Sequence, residues 1–179
     1  MSATFLMTAS NQPLSVHPTS SQRNKSRLYI LFSLSSSSLS PSLVIAPKKP
    51  DPRKVQTWRF GLKHHGSFEG RQVVNYDQRM VAAVSVSKLD PEVTSMGLSM
   101  LFSREVPVRG GAREWVCDAI NMLVEKDIIP PLPLSAHSIF EKGSRFAESV
   151  QASEKSGEES SVPTCDVEGT RIRSEISRV

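Results

Sequence analysis

The stretch VAAVSVSKLDPEVTSMGLSML, residues 81–101, changes its apolar spacing at Asp90. Before Asp90 the valines and alanines form a short apolar run that is typical of a strand. Asp90 and Pro91 suit the N-cap and the first position of a helix. The residues that follow carry an apolar stripe at helical spacing, namely Val93, Met96, Gly97, Met100 and Leu101. The stretch therefore predicts a strand and then a helix, with the boundary at Asp90.

The same spacing rules predict further elements on both sides of this stretch. Alternation of apolar and polar residues predicts a strand at Trp58–Leu62, and a short apolar run predicts another at 73–76. A helical stripe predicts a second helix over residues 116–124. Ser135 as N-cap predicts a third helix, in which Gly143 costs about 1 kcal/mol relative to alanine. The predicted fold class is a small single α+β domain, residues 51–152, with about three antiparallel strands followed by two or three helices.

Residues 1–50 differ in composition from the rest of the chain. They contain 13 serines and five basic residues, and no aspartate or glutamate. A basic, serine-rich and acid-poor N-terminus is typical of an organellar transit peptide. The chain carries no charge before Arg23, which favours a chloroplast over a mitochondrion. We predict a disordered leader and linker over residues 1–50, with roughly 45–50 residues removed on import.

Two other segments bear on this organisation. The uncharged stretch 28–46 contains Pro41 and too many serines for a transmembrane helix, so no membrane span is predicted. Residues 153–179 contain no aromatic residue and no sustained apolar period, which predicts a disordered tail.

Motifs that would identify an enzyme or a metal site are missing from the sequence. Cys117 and Cys165 are far apart, and we expect Cys117 to be a small buried residue and Cys165 to be exposed in the tail. His64-His65 could supply a general base or a metal ligand, but a polar turn is the favoured interpretation. Gly110-Gly111 lacks the remaining residues of a phosphate-binding loop and is interpreted as a connection between helices. No catalytic residue, cofactor or metal is predicted, and an enzyme ranks third among the functions.

Charge is segregated within the predicted domain. Residues 51–89 contain seven basic and three acidic residues, whereas residues 90–134 contain four and seven. Cations interleaved with aromatic rings could bind a single nucleic-acid strand, the cations on phosphates and the rings under bases. The residues predicted to make such contacts are Lys54, Trp58, Arg59, Lys63 and Arg71.

Two functions therefore stand ahead of an enzyme. After residue 50 the chain has 17 basic and 18 acidic residues, which favours a non-catalytic accessory or assembly factor that acts through protein contacts in an organellar complex. The alternative is an organellar RNA- or DNA-binding protein, because the positive charge of the strand-rich half matters more for binding than the net charge.

Overall fold

The computed structural model describes residues 26–35, 38–48, 56–63, 66–73, 79–153 and 161–176. Within these ranges a mixed seven-stranded sheet packs against three helices. The strands are β1 (Arg27–Ser35), β2 (Ser38–Ala46), β3 (Thr57–Leu62), β4 (Phe68–Val73), β5 (Met80–Lys88), β6 (Thr164–Cys165) and β7 (Arg171–Ile172). The helices are α1 (Ser95–Glu105), α2 (Ala112–Glu125) and α3 (Ala136–Ala152). The strand order across the sheet is β4-β3-β2-β1-β5-β6-β7, and only β5 and β6 run parallel to each other.

The hairpin of β1 and β2 forms the middle of the sheet. Its register runs from Arg27 opposite Ala46 to Ser35 opposite Ser38, and β1 also pairs with β5. The five residues Leu28–Phe32 are each no more than 2% exposed. A strand that is covered on both faces shows no alternation of apolar and polar residues. This part of β1 therefore gives no period-two signal in the sequence.

Aromatic side chains join one face of the sheet to the helices. The ring of Phe60 on β3 lies 5.1 Å from that of Phe102 on α1, which lies 5.8 Å from Trp115 on α2. Phe32 on β1 lies 5.5 Å from Phe140 on α3. These residues belong to one buried cluster that includes residues of all three helices, so they hold the helical layer against the sheet.

The opposite face of the sheet carries a second, smaller buried cluster. Its strand residues are Tyr29, Leu31, Val44, Ala46, Met80 and Ala83. Val162 and Ile176 from the C-terminal segment complete this cluster, and the amide of Val162 donates to the carbonyl of Ile176. Arg27 also forms a 3.1 Å ion pair with Glu175. The C-terminal segment is thus part of the domain.

The predicted fold class is wrong, because the sheet has seven strands of mixed direction instead of about three antiparallel strands. Composition misled the prediction: five of the 13 serines that suggested a disordered leader lie in β1 and β2, namely Ser33, Ser35, Ser38, Ser40 and Ser42. Proline has no amide hydrogen to donate to a neighbouring strand. Because β3 pairs only with Leu43–Ile45 of β2, Pro41 costs no hydrogen bond between β2 and β3. The prediction of a disordered tail also fails for residues 161–176, which contain β6 and β7.

This sheet bears on the predicted cleavage of the leader. Removal of the first 45–50 residues would delete β1 and β2, so such cleavage and this fold cannot both describe the mature protein. The part of the predicted leader before Ser26 lies outside the described residues.

The second and third helices are confirmed. In α2 the predicted stripe is buried together with Trp115, and the Ser135 hydroxyl caps α3 by accepting from the Ser138 amide at 3.2 Å. Gly143 is buried in α3, and a Cβ there would collide with Val84 on β5. None of the three described helices is long and apolar enough to cross a membrane.

The boundary and stripe predicted for the first helix are wrong. α1 begins at Ser95 with Thr94 as its N-cap, four residues after Asp90, which lies in a turn. Its buried residues are Leu98 and Phe102, whereas Met96 and Met100 are 59% and 47% exposed. Both faces of this helix are apolar, and contact of Phe102 with the rings on β3 and α2 selects the face that is buried.

The two strands predicted beside Trp58 and Val81 correspond to β3 and β5. The strand predicted at 73–76 is displaced, because β4 ends at Val73 and residues 74–78 lie outside the described part of the chain.

Candidate functional site

A cleft of about 630 Å³ lies where β1 and β3 end and β2 and β4 begin. Its wall combines hydroxyl groups, positive charges and the backbone before α2. The polar lining residues are Ser33, Ser35, Ser40, Ser42, Arg59, Lys63, Glu69, Arg71 and Arg79, and the loop lining residues include Gly66, Gly110, Gly111 and Ala112.

Paired strands bring the positive charges together. Arg59 on β3 lies directly opposite Arg71 on β4 in the register of the sheet. Lys63 follows Arg59 at an even spacing and lies on the same side, and Arg79 comes from the segment before β5. Like charges directly opposite each other in a sheet are unfavourable for stability. The register of β3 and β4 therefore concentrates positive charge at the cleft.

Among the described residues that line the cleft, Glu69 is the one that carries a carboxylate. One oxygen of Glu69 lies 3.7 Å from the amine of Lys63, and the other lies 3.7 Å from Nε of Arg71. All three side chains are largely exposed, so each ion pair contributes about 0–1 kcal/mol. Within the described lining, the cleft therefore contains more cationic than anionic side chains.

Serine hydroxyls line the neighbouring part of the cleft. Ser33, Ser35, Ser40 and Ser42 occupy alternate positions of β1 and β2, on the side of the sheet away from the helices. The Ser42 hydroxyl accepts from Nε of Arg59 at 3.0 Å, which holds that guanidinium beside the serines. Ser33 is only 6% exposed, and its hydroxyl has no hydrogen-bond partner within the described part of the chain.

The start of α2 forms another part of the wall. Gly110 has a φ of 68°, a left-handed conformation that glycine adopts without strain, and Gly111 and Ala112 follow it. The Glu114 carboxylate accepts from the Gly111 amide at 3.0 Å. Hydrogen bonds from its own amide and from the Gly111 amide lower the pKa of Glu114. This helix terminus thus stabilises a negative charge.

The structure brings together three of the five residues predicted to contact nucleic acid. Arg59, Lys63 and Arg71 all line the cleft. Trp58 does not, because it lies on the helix side of β3 with its ring 5.9 Å from that of Phe60. Lys54 lies outside the described residues.

The other groups in the wall were not predicted from the sequence. Arg79, the serines of the hairpin and the backbone at Gly110 gave no recognised motif. Alternation of serine with larger residues from Phe32 to Leu43 is the signal that could have revealed a hydroxyl-lined strand face.

The remaining candidate groups do not form a reactive centre in the described ranges. Cys117 and Cys165 are both free thiols and buried, so the expectation of an exposed Cys165 is wrong. Burial raises the pKa of Cys117 to about 11 and that of Cys165 to about 12, which disfavours the nucleophilic thiolate. His64-His65 lies outside the described residues, among which no group of three or more potential metal ligands occurs.

No known protein family, curated protein or solved structure matches this chain.

Proposed function

We propose that the protein is a non-catalytic organellar factor that binds a single nucleic-acid strand through the phosphates of its backbone. One observation carries this proposal: Arg59, Lys63, Arg71 and Arg79 line the same cleft. Phosphate contacts supply most of the sequence-independent affinity for nucleic acids.

Backbone contacts, rather than base stacking, are the basis of this binding. Trp58 packs against Phe60 on the other side of the sheet, and Phe68 also stacks on Phe60 at 6.5 Å. Trp58, the ring predicted to stack on bases, therefore packs against the core instead. Binding without stacking is expected to show little sequence preference and strong dependence on salt.

Salt dependence of binding tests the proposal. The affinity of the full chain for short single-stranded RNA and DNA is measured at several salt concentrations. Contact of all four cations with phosphates would give a slope of log affinity against log salt of about −3. Arg71→Ala and Lys63→Ala should each flatten this slope by about 0.7.

Matched variants separate the cleft from general charge effects. Arg145 is exposed on α3 and does not line the cleft, so Arg145→Ala should leave the slope unchanged. Glu69→Gln removes the opposing charge and should tighten binding. Absence of binding at low salt, or equal losses from Arg71→Ala and Arg145→Ala, would refute the proposal.

A protein partner is the second candidate function, and an exposed apolar pair favours it. Met96 and Met100 project one turn apart from the outer side of α1, and methionine is frequent on adaptable binding surfaces. Tagged protein recovered from organelles with and without nuclease distinguishes the two functions. Partners that persist after nuclease treatment and are lost on Met96→Gln/Met100→Gln favour the accessory factor.

A further inference from the structure

One edge of the sheet is formed by β4, and no other described strand pairs with its outer side. Next to the turn between β3 and β4, the Lys63 amide donates to the Ser67 carbonyl at 2.8 Å. Hydrogen-bonded and non-hydrogen-bonded pairs alternate along antiparallel strands. Three residues of β4 therefore point their backbone amide and carbonyl groups towards β3, namely Glu69, Arg71 and Val73. The other three point these groups outwards, namely Phe68, Gly70 and Gln72. Such an edge is a template for a further strand.

The charges of β4 favour a second copy of β4 as that strand. Two copies pair antiparallel only if outward-pointing residues lie opposite each other, because these residues supply the hydrogen bonds. With Gly70 opposite the partner's Gly70, Glu69 lies opposite the partner's Arg71, and Arg71 lies opposite the partner's Glu69. The neighbouring permitted registers place Glu69 opposite the partner's Glu69, or Arg71 opposite the partner's Arg71. Opposite charges stabilise a cross-strand pair and like charges destabilise it, so the register centred on Gly70 is selected.

The two charged pairs of this register fall at non-hydrogen-bonded positions, where facing side chains approach most closely. Within one chain, Glu69 lies 3.7 Å from Lys63 and 3.7 Å from Arg71, in exposed and therefore weak ion pairs. Its carboxylate is thus able to bind a guanidinium across the edge. A single sign of charge on an edge strand opposes pairing with a second copy, whereas the charges of β4 are opposite in sign and symmetric about Gly70.

The first helix lies over the middle of this edge strand, since a Cβ on Gly70 would lie 2.6 Å from the Ser99 hydroxyl. At about 100° per residue, Met96 and Met100 follow Ser99 around α1, away from the buried side of the helix. Pairing at β4 would bring the α1 helices of two copies side by side. The exposed methionines would then lose contact with water between the two helices, which favours association.

We propose that the protein forms a symmetric dimer, in which β4 pairs antiparallel with β4 of a second copy and Gly70 lies at the two-fold axis. The same surface of both copies forms this contact, as a two-fold interface requires. The axis runs perpendicular to the sheet, so the two clefts open on the same face. Glu69 and Arg71 line the cleft, so the partner adds charged groups beside it. Dimer formation is independent of whether the cleft binds nucleic acid.

Sedimentation equilibrium of the full chain, without nucleic acid, tests the dimer. The mass should rise from one chain to two as the concentration increases. A mass of one chain at every concentration up to about 100 μM, a range that detects even weak association, would overturn the proposal.

Reversal of single charges tests the register. Arg71→Glu and Glu69→Arg each place like charges opposite each other, and each should weaken the dimer by at least about ten-fold. An equal mixture of the two variants places opposite charges together again and should form a dimer with one copy of each. Arg145→Glu, at an exposed position of α3, is the matched control and should leave the dimer intact. Equal weakening by Arg145→Glu, or no association in the mixture of the folded variants, would overturn the proposal.

A proline at an outward-pointing amide tests the strand pairing itself. Gln72 is exposed, and its amide makes no bond to β3, so Gln72→Pro should leave the chain folded and abolish the dimer. Gln72→Ala removes the same side chain but keeps the amide, and should dimerise like the native chain. Circular dichroism shows whether both variants fold. Equal dimer formation by the two variants would show that β4 is not the interface.

Discussion

Replacement of Gly143 by alanine should destabilise the protein, although alanine is the better helix former. Gly143 lies in the middle of α3 and is packed against β5 and β1 of the sheet. A Cβ built on Gly143 would overlap a methyl group of Val84 and lie 3.1 Å from the ring of Phe32. Neither neighbour can easily move, because Val84 is β-branched in a central strand and Phe32 packs against Phe140.

The expected magnitude is a balance of two terms. Alanine in place of glycine within a helix gains about 1 kcal/mol. Overpacking of a tight core costs typically about 1–3 kcal/mol, and the immobile neighbours of Gly143 favour the upper end of that range. The net loss in the free energy of unfolding should therefore be about 2 kcal/mol. For a chain of this size such a loss lowers Tm by roughly 4–8 °C.

Urea unfolding, followed by circular dichroism and by tryptophan fluorescence, measures this loss. Gly97→Ala is the matched control, because Gly97 is exposed in α1 and a Cβ there meets only the Thr94 hydroxyl, at 3.0 Å. That control should be neutral or stabilising by up to about 1 kcal/mol. In a Val84→Ala background the loss from Gly143→Ala should shrink by at least about 1 kcal/mol, since coupled neighbours are not additive.

Two results would contradict this account of α3. A gain in stability from Gly143→Ala would mean that the helix does not approach β5 as closely as described. An unchanged loss in the Val84→Ala background would mean that the collision with Val84 is not its cause.

Three further predictions concern other parts of the fold. Asp127 follows α2 with a φ of 55°, so Asp127→Gly should raise the free energy of unfolding by about 1 kcal/mol in urea unfolding, and a loss would contradict the left-handed conformation. Because burial raises the pKa of Cys117 to about 11 and that of Cys165 to about 12, the stability that these thiols contribute is complete below pH 9 and falls as the pH rises from 9 towards 12. Cys165→Ala should flatten this alkaline decline in urea unfolding at a series of pH values, and an unchanged decline would assign it to other groups. A chain that begins after residue 50 lacks β1 and β2 and should show no cooperative unfolding in urea, whereas a chain that begins at Ser26 keeps every described element and should unfold cooperatively. Cooperative unfolding of the shorter chain would show that β1 and β2 are dispensable.

The sequence by itself determined the elements whose pattern is local. In α2 and α3 one stripe is apolar and the other faces are polar, so the period alone identifies the buried side. The Ser135 cap and the alternation of Trp58, Phe60 and Leu62 are equally local signals. Each depends on neighbours only a few residues apart.

Only the tertiary structure shows that β1 and β2 form the centre of the sheet and which residues line the cleft. The part of β1 from Leu28 to Phe32 is apolar on both faces, because helices cover one face and residues from the C-terminal segment contribute to the other. The serines of the β1–β2 hairpin resembled a leader by composition alone. Arg59 and Arg71 are twelve positions apart, and strand pairing places them opposite each other. Ser33 and Gly111 are 78 positions apart in the sequence, and both line the cleft. No periodicity records such contacts, because they depend on how distant segments pack and not on the spacing of residues within any one of them.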